Sequence, residues 1–570
     1  MPQNTSGIHL AQPRDSVQVH LPDGRVFQGA PDTPLATFFK KAFPDMANPP
    51  VAAIINGSLS ELTWPVVHDM DTIPVFLSDS DGMRIYCRSL SFLLIVAAYK
   101  LFPRAQLLID YSVPHGGYFC QIERGRQLSS VQLSKIEKLM QTMVKKDEPI
   151  IRERLSVGEA KEVFASRQEL HKVQLLEGFK EKHIPIYSLC GFRDYFYGYM
   201  VPSTGYLQTF TLEPFSKGFI LRFPRRENPG KLLPPQRFTV LRNVFNEYGK
   251  WLNLLGVADV NSLNKAIDSG RIEQVILVSE ALHEKRIAEI AGVIAQRQKK
   301  QHHLVFIAGP SSSGKTTFSK RLSIQLLAQG CRPYALQMDD YFLSRDQMIK
   351  GKDKEFDFDS INALDIPFFK QQLCALLAGN KVDLPRYDFY TGTREPGPTV
   401  TLEPASVLLV EGIHCLNPCL VADLTEGDVL RIFVSAITQL NLDRHNRVST
   451  TDTRLIRRIV RDAASRGYTA EETIGLWENV RQGEKQNIFP YQEQAEIMFN
   501  SALAYELAVL KPLVEPLLLQ VENMRARIET ERLLAFLRWF KPYTASIIPS
   551  NSILREFIGG SSLDASTRTS

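Results

Sequence analysis

The chain has 570 residues and a mass of 64.5 kDa, which at roughly 150 residues per domain leaves room for about three to four domains. With 44% apolar and 23% charged residues it has a globular composition, which argues against extended disorder and fibrous repeats. A net charge of +5, from 67 basic and 62 acidic residues, is too thin a surplus to imply a dedicated nucleic-acid binder, although it permits a local basic patch.

The 7 cysteines are odd in number, scattered, and contain no C-x-x-C, so neither a disulfide framework nor a zinc ribbon is expected. The opening stretch MPQNTSGIHLAQPRDS is polar and has no apolar signal-peptide core. The most apolar early run, 90–99, is about half the ~20 residues needed to cross a bilayer. The expectation is a cytoplasmic protein with reduced thiols and no membrane span.

In chain order, alternating runs predict strands over 17–21, 51–55 and 73–77, bounded by Pro22-Asp23-Gly24 and Asn56-Gly57, with a helix near 35–43. Helical spacing follows at 89–101, 130–145 and 156–167, then an aromatic-rich β region over 184–224. The stretch PRRENPGKLLPP over 224–235 reads as a linker, and helical patterns fill 236–299. From His303 the texture changes. Apolar strands at 303–308, 333–338, 406–410 and 430–434 alternate with helical patterns, the signature of a parallel α/β sheet. The Gly/Ser/Thr-rich end, 559–570, reads as a disordered tail.

After the strand at 303–308 comes Gly309-Pro310-Ser311-Ser312-Ser313-Gly314-Lys315-Thr316, a complete G-x-x-x-x-G-K-[ST], followed by Thr317 and an amphipathic helix. A loop solvates phosphates only by turning several N–H groups inward, which its glycines permit, and the helix behind adds its positive end. Lys315 would reach the β/γ-phosphates and Thr316 would ligate Mg²⁺, so ATP and Mg²⁺ are the expected cofactors. The strand at 333–338 runs into Asp339-Asp340, placing acids at a carboxyl strand end where a hydroxyl's proton could be taken. The strand at 406–410 ends in Glu411-Gly412, which suits a magnesium contact. Arg454, Arg457, Arg458 and Arg461 fall at i, i+3, i+4 and i+7 of one helix, and such uncompensated like charges suggest an anionic partner closing over ATP as a lid. No guanine-reading N-K-x-D motif is expected to follow the loop, which disfavours a signalling GTPase.

Six segments in register make the pattern specific: GPSSSGKTT, MDDYF, FDFDSINALD (356–365), LPRYDFYTGTR (384–394), VLLVEGIH (407–414) and TDTRLIRRIVRDAASRG (451–467). Together they resemble the uridine kinase/phosphoribulokinase family of P-loop kinases over 303–500. The resemblance implies a doubly wound parallel sheet and Mg²⁺-dependent transfer of the γ-phosphoryl group of ATP to a nucleoside 5′-hydroxyl, most readily that of uridine or cytidine. It further implies Asp339 as general base, Asp359 on the ribose hydroxyls, Tyr387 beside the base with Arg394 nearby, Glu411 on the metal with Thr316 and Asp339, and Arg458, Arg461 and Arg466 as lid arginines. Two positions depart from the pattern: Gly392 stands where the family's base-reading histidine aligns, and Tyr468 where the last lid arginine does. Another sugar or small alcohol is therefore the alternative acceptor.

The first 80 residues, through VHLPDGRVFQGAPDTPLATFFKKAF and AAIINGSLSELTWPV, resemble a TGS domain, the β-grasp module at the front of threonyl-tRNA synthetases. Residues 83–215 resemble the synthetase's editing domain, an α+β fold, through RSLSFLLIVAAYKLFP and FRDYFYGYMVPSTGYL. That editing site needs an H-x-x-x-H pair, a cysteine and a further histidine, and here the four positions are Arg88, Phe92, Phe196 and Met200. None of these can do that job, since Arg88 cannot act as a base or ligand and the other three are apolar. The expected organisation is a TGS-like domain at 15–79, a degenerate editing-like region at 83–224, a helical linker region at 225–300, a kinase domain at 301–545 and the tail. RNA binding, without support from the charge, scaffolding and self-association remain open for the front half, beside a regulatory ATPase reading of the whole.

Overall fold

The computed structural model describes residues 14–44, 48–122, 127–236, 238–297, 303–348, 360–388, 391–420 and 429–563. Two compact units emerge, one up to Gln236 together with Arg444–Asn446, and one formed by the rest.

In the first unit, the hairpin Val17–His20/Val26–Gly29 leads into helix Leu35–Ala42, and strand Met70–Val75 returns parallel beside Val17–His20. The strand order is Val26–Gly29, Val17–His20, Met70–Val75, Ala52–Ile55, Ser58–Glu61. This is a β-grasp sheet, with Val17, Val19, Leu35, Phe38 and Phe39 buried between sheet and helix. The next helix, Ser80–Leu101, starts nine residues before the predicted 89. At 22 residues it is long and apolar enough to cross a bilayer, yet Leu90, Phe92, Leu93, Leu94 and Val96 are buried in the unit's core, where the α+β portion packs around it. That portion holds the sheet Ile151–Ser156, His183–Leu189, Phe192–Tyr195, and a second one of order Thr211–Phe215, Gly218–Arg222, Gly117–Ile122, Leu107–Ser112. Asp194, wholly buried, is held well below the usual carboxylate range: Lys172 and His445, the latter with Nδ1 2.6 Å away, outweigh the desolvation.

The segment expected as a helical linker over 225–300 is helical but does not behave as a linker beyond Gln236. Helices Thr239–Leu255, Val260–Asp268 and Ile272–Arg297 belong to the second unit. There Glu280 and Glu284 of the long helix pair with Arg321 of the helix at 315–328, at 3.4 and 2.6 Å. The second unit is built on a five-stranded all-parallel sheet of order Arg332–Gln337, Ser406–Glu411, His303–Ala308, Val429–Ser435, Ile497–Asn500. Its centre is buried from both faces, which is why 303–308 and 406–410 read as unbroken apolar runs rather than alternating ones. Order persists past 545: Ile548, Ile553, Leu554, Phe557 and Leu563 are buried. The predicted tail is thus ordered as far as Leu563, and 564–570 lie outside the described residues.

Candidate active site

The strand His303–Ala308 delivers the chain at its carboxyl end into Gly309, and helix Lys315–Ala328 leaves on the far side. Gly309 is obligatory, because a Cβ there would lie well inside van der Waals contact with the Val434 carbonyl oxygen. Ser312 and Gly314 take φ of 57° and 85°, left-handed conformations that curl the loop back on itself, the backbone geometry a phosphate-binding nest requires. Ser312 Oγ and Ser313 Oγ are buried and have no hydrogen-bond partner among the described residues. Buried hydroxyls of that kind are costly unless a ligand satisfies them, and a phosphate is the ligand such a loop fits.

Three adjacent strand ends supply the charges around the loop. Glu411, ending the strand next to His303–Ala308, accepts a hydrogen bond from Thr316 Oγ1 at 2.7 Å. Desolvation pushes its carboxyl up to about 7, against the pull of Lys315 and the Thr316 hydroxyl and with a further push from Glu556 and Asp339. Asp339, just past the edge strand Arg332–Gln337, keeps solvent access at the mouth of the site but is ringed by protein atoms. Desolvation raises its pKa above the ordinary carboxylate value, while Lys315 and Arg466 pull it down. Lys315 Nζ donates to the Pro310 carbonyl at 3.2 Å. Gly412 lets the two acidic strands approach, since a Cβ on it would stand 2.6 Å from Met338 Cβ.

The arginine helix runs Thr450–Ser465, and its side chains divide by role. Arg454 and Arg457 are fully buried, and their charges are compensated from other helices, contrary to the expectation of an uncompensated face. Arg454 pairs with Glu484 and donates to the Ser311 carbonyl at 2.8 Å, and Glu484 in turn accepts from the Ser311 N–H at 3.0 Å. Arg457 meets Glu506 at 2.6 Å and donates to the Ser501 carbonyl at 2.8 Å, while the Ser501 hydroxyl donates to the Ser313 carbonyl. These two arginines brace the loop from behind. Arg458 donates to Ser311 Oγ at 3.0 Å and to Asp462 at 3.1 Å, and Arg461 donates to Asp462 at 2.7 Å. Arg466 is solvent-accessible, 3.7 Å from Asp462, and close enough to Asp339 to act on its charge.

On the other side of Asp339, the Tyr387 N–H donates to Asp340 Oδ1 at 3.1 Å, and the buried Tyr387 ring stands edge-on to Phe342 at 5.6 Å. Arg394 is tied to Asp365 at 3.1 Å over the Phe368 ring. Asp359 lies outside the described residues. The structure therefore gathers the loop, Lys315, Thr316, Thr317, Asp339, Glu411 and Arg458, Arg461 and Arg466 at one end of the sheet, with Tyr387 and Arg394 on the adjoining hairpin. Contrary to expectation, the letters N-K-x-D do occur, as Asn380-Lys381-Val382-Asp383. They lead into the outlying hairpin Val382–Asp388/Thr393–Val400, where Asp383 accepts from Thr399 at 2.5 Å, so they form no base-reading loop at an end of the parallel sheet. Glu484, Ser501, Glu506 and Glu556 carry no sequence signal that singles them out, since each acts through a partner far away in the chain.

In the first unit, the positions of the editing site are packed. Phe92 and Phe196 stand 5.3 Å apart edge to face, Met200 is buried, and Arg88 donates to the Tyr199 carbonyl at 2.6 Å. No cluster of three or more metal-ligating side chains occurs among the described residues.

Sheet, loop and surrounding charges define a P-loop kinase fold in the second unit. Residues 304–507 match the model of the Phosphoribulokinase / Uridine kinase family. The N-terminal half matches threonyl-tRNA synthetases. It is 35% identical over 197 residues to the threonine–tRNA ligase of Paraburkholderia phymatum, and 34% identical over the same length to that of Paraburkholderia xenovorans. In each case 34% of this chain and 31% of the ligase are covered, so the chain spans about a third of the length of these relatives. Among solved structures, a possible uridine kinase from Bacillus stearothermophilus has 20% identity and a TM-score of 0.27, covering 38% of this chain and 98% of that one. A putative fructose transport system kinase from Silicibacter sp. TM1040 also has 20% identity, with a TM-score of 0.29, covering 37% and 98%. These two likenesses are too low to bear on substrate.

Proposed function

We propose that the chain is an ATP-dependent nucleoside kinase that phosphorylates a 5′-hydroxyl, with uridine or cytidine as acceptor. The observation that carries this reading is the convergence of Lys315, Asp339 and Glu411 from three neighbouring strand ends, each within electrostatic reach of the others. Bound Mg-ATP would supply the electrophilic phosphoryl group. The loop amides and Lys315 hold its phosphates, and Thr316, Glu411 and Asp339 are the residues that would hold the metal. Asp339 takes the proton of the attacking hydroxyl, a task that its raised pKa favours. Arg458, Arg461 and Arg466 stand ready to neutralise charge on the migrating group and to exclude water. Tyr387 and Arg394 wall the acceptor side. The first unit, its editing positions filled by Phe92, Phe196 and Met200, serves as a binding or scaffolding module in this reading.

Gly392 favours a second reading, in which the same chemistry acts on another sugar or small alcohol. There the side chain of Arg345 fills the space that any larger residue would need, with Arg345 Cγ 2.6 Å from the place of a Cβ. The test of the catalytic assignment is Asp339→Asn. Turnover should fall by at least about 10²-fold with ATP affinity kept within a few-fold. Equal loss of both would make Asp339 a structural or metal-holding residue alone.

A further inference from the structure

The first turn of the P-loop helix already carries an anion. Glu556, from the C-terminal turn Arg555–Ile558, accepts hydrogen bonds from the Thr317 N–H at 3.1 Å and from Thr317 Oγ1 at 2.9 Å. Those are donors of the kind that a phosphate loop and its helix turn toward a nucleotide. The segment that brings Glu556 there is firmly seated. Ile553 lies 2.6 Å from where a Gly314 Cβ would stand, Phe557 packs under the Arg457 guanidinium at 4.9 Å, and the Ser552 hydroxyl donates to Glu280 at 2.5 Å. Ile553, Leu554 and Phe557 are buried. The segment itself lies beyond residue 507, where the family match ends.

A carboxylate and a phosphate oxygen cannot share the same two donors, and the negative charge of Glu556 opposes that of a triphosphate. Meanwhile the buried hydroxyls of Ser312 and Ser313 wait without partners a few residues earlier in the same loop. We propose that residues 548–558 form an autoinhibitory cap on the nucleotide site, with Glu556 standing in for a phosphate that must displace it. The idea rests on the loop being the nucleotide site, as in the function proposed above. Occupancy of the site by nucleotide is then linked to release of the C-terminal segment, and anything that draws that segment away activates the enzyme.

The experiment is equilibrium binding of Mg-ATP to the full chain, its Glu556→Ala and Glu556→Gln variants, and Lys315→Ala. The cap predicts binding tightened about tenfold or more in Glu556→Ala, and a smaller gain in Glu556→Gln, which keeps an acceptor but loses the charge. Unchanged or weaker binding in both, with binding lost in Lys315→Ala, overturns the cap and leaves the kinase reading standing. No binding by any form overturns both. Hydrogen exchange on the unmutated chain gives a second readout: ATP should speed exchange over 548–558, and unchanged or slower exchange there overturns the cap.

Discussion

Arg457 offers the sharpest energetic test, because its side chain has 0% exposure and its chief partner, Glu506, only 3%. The pair is joined at 2.6 Å, and the guanidinium also reaches the Ser501 carbonyl at 2.8 Å and the Ser312 carbonyl at 3.4 Å. Desolvation already raises the Glu506 carboxyl above its ordinary pKa, with Arg457 pulling against it. Arg457→Met removes that counter-charge and leaves the carboxylate buried alone, which costs ~3–5 kcal/mol. A loss of that size is a large share of the ~5–15 kcal/mol by which a domain is stable. Adding Glu506→Leu removes the stranded charge and should recover at least half of the loss. The assay is urea unfolding followed by tryptophan fluorescence, which reports mainly on the second unit because Trp251, Trp477 and Trp539 lie there and only Trp64 lies in the first. A single variant within ~1 kcal/mol of the parent, or a double variant no better than the single one, would refute the assignment of Arg457 as a buried brace.

Two further outcomes follow from buried groups. His283, 1% exposed between the Trp251 and Phe499 rings, has its pKa lowered to about 3, chiefly by desolvation and then by Arg321 and Arg457. The unfolded chain takes up that proton below about pH 6.5 and the folded chain does not, so stability should fall as pH drops from about 6.5 toward 3, by on the order of 5 kcal/mol over the whole window. Melting temperatures across that range should show the slope, and His283→Phe should flatten it; an unchanged slope would contradict the assignment. Gly412→Ala places a methyl group 2.6 Å from Met338 Cβ and should displace the Asp339 turn, so kcat should fall at least tenfold with ATP affinity little changed. Wild-type kcat in that variant would show that the close approach of the two strands does not position Asp339.

The phosphate loop was legible because its chemistry is local: a strand, eight residues with two glycines, and a helix, all contiguous. Asp339 and Glu411 were legible for a related reason, since parallel strands present their carboxyl ends to one side of the sheet. The start of helix Ser80–Leu101 was missed because its first turns carry Asp81, Gly82 and Arg84, which break the apolar spacing. Gly82 is kept there by the Phe76 carbonyl, which leaves no room for a Cβ, and nothing in the local sequence announces that contact. The arginine helix misled for a physical reason. Neighbours at i+3 and i+4 are visible in sequence, but Glu484 and Glu506 come from other helices, 30 and 49 residues away from their partners. Glu556, 239 residues from Thr317, is the extreme case. Charge compensation across a fold has no period to read.

The central claim is phosphoryl transfer to a nucleoside, and the most direct measurement is ADP production by the full-length protein with Mg-ATP and a panel of nucleosides, with Lys315→Ala as the blank. The account predicts turnover that depends on uridine or cytidine and vanishes in the blank. ATP binding with no turnover on any nucleoside would contradict it and move the acceptor to another sugar or alcohol.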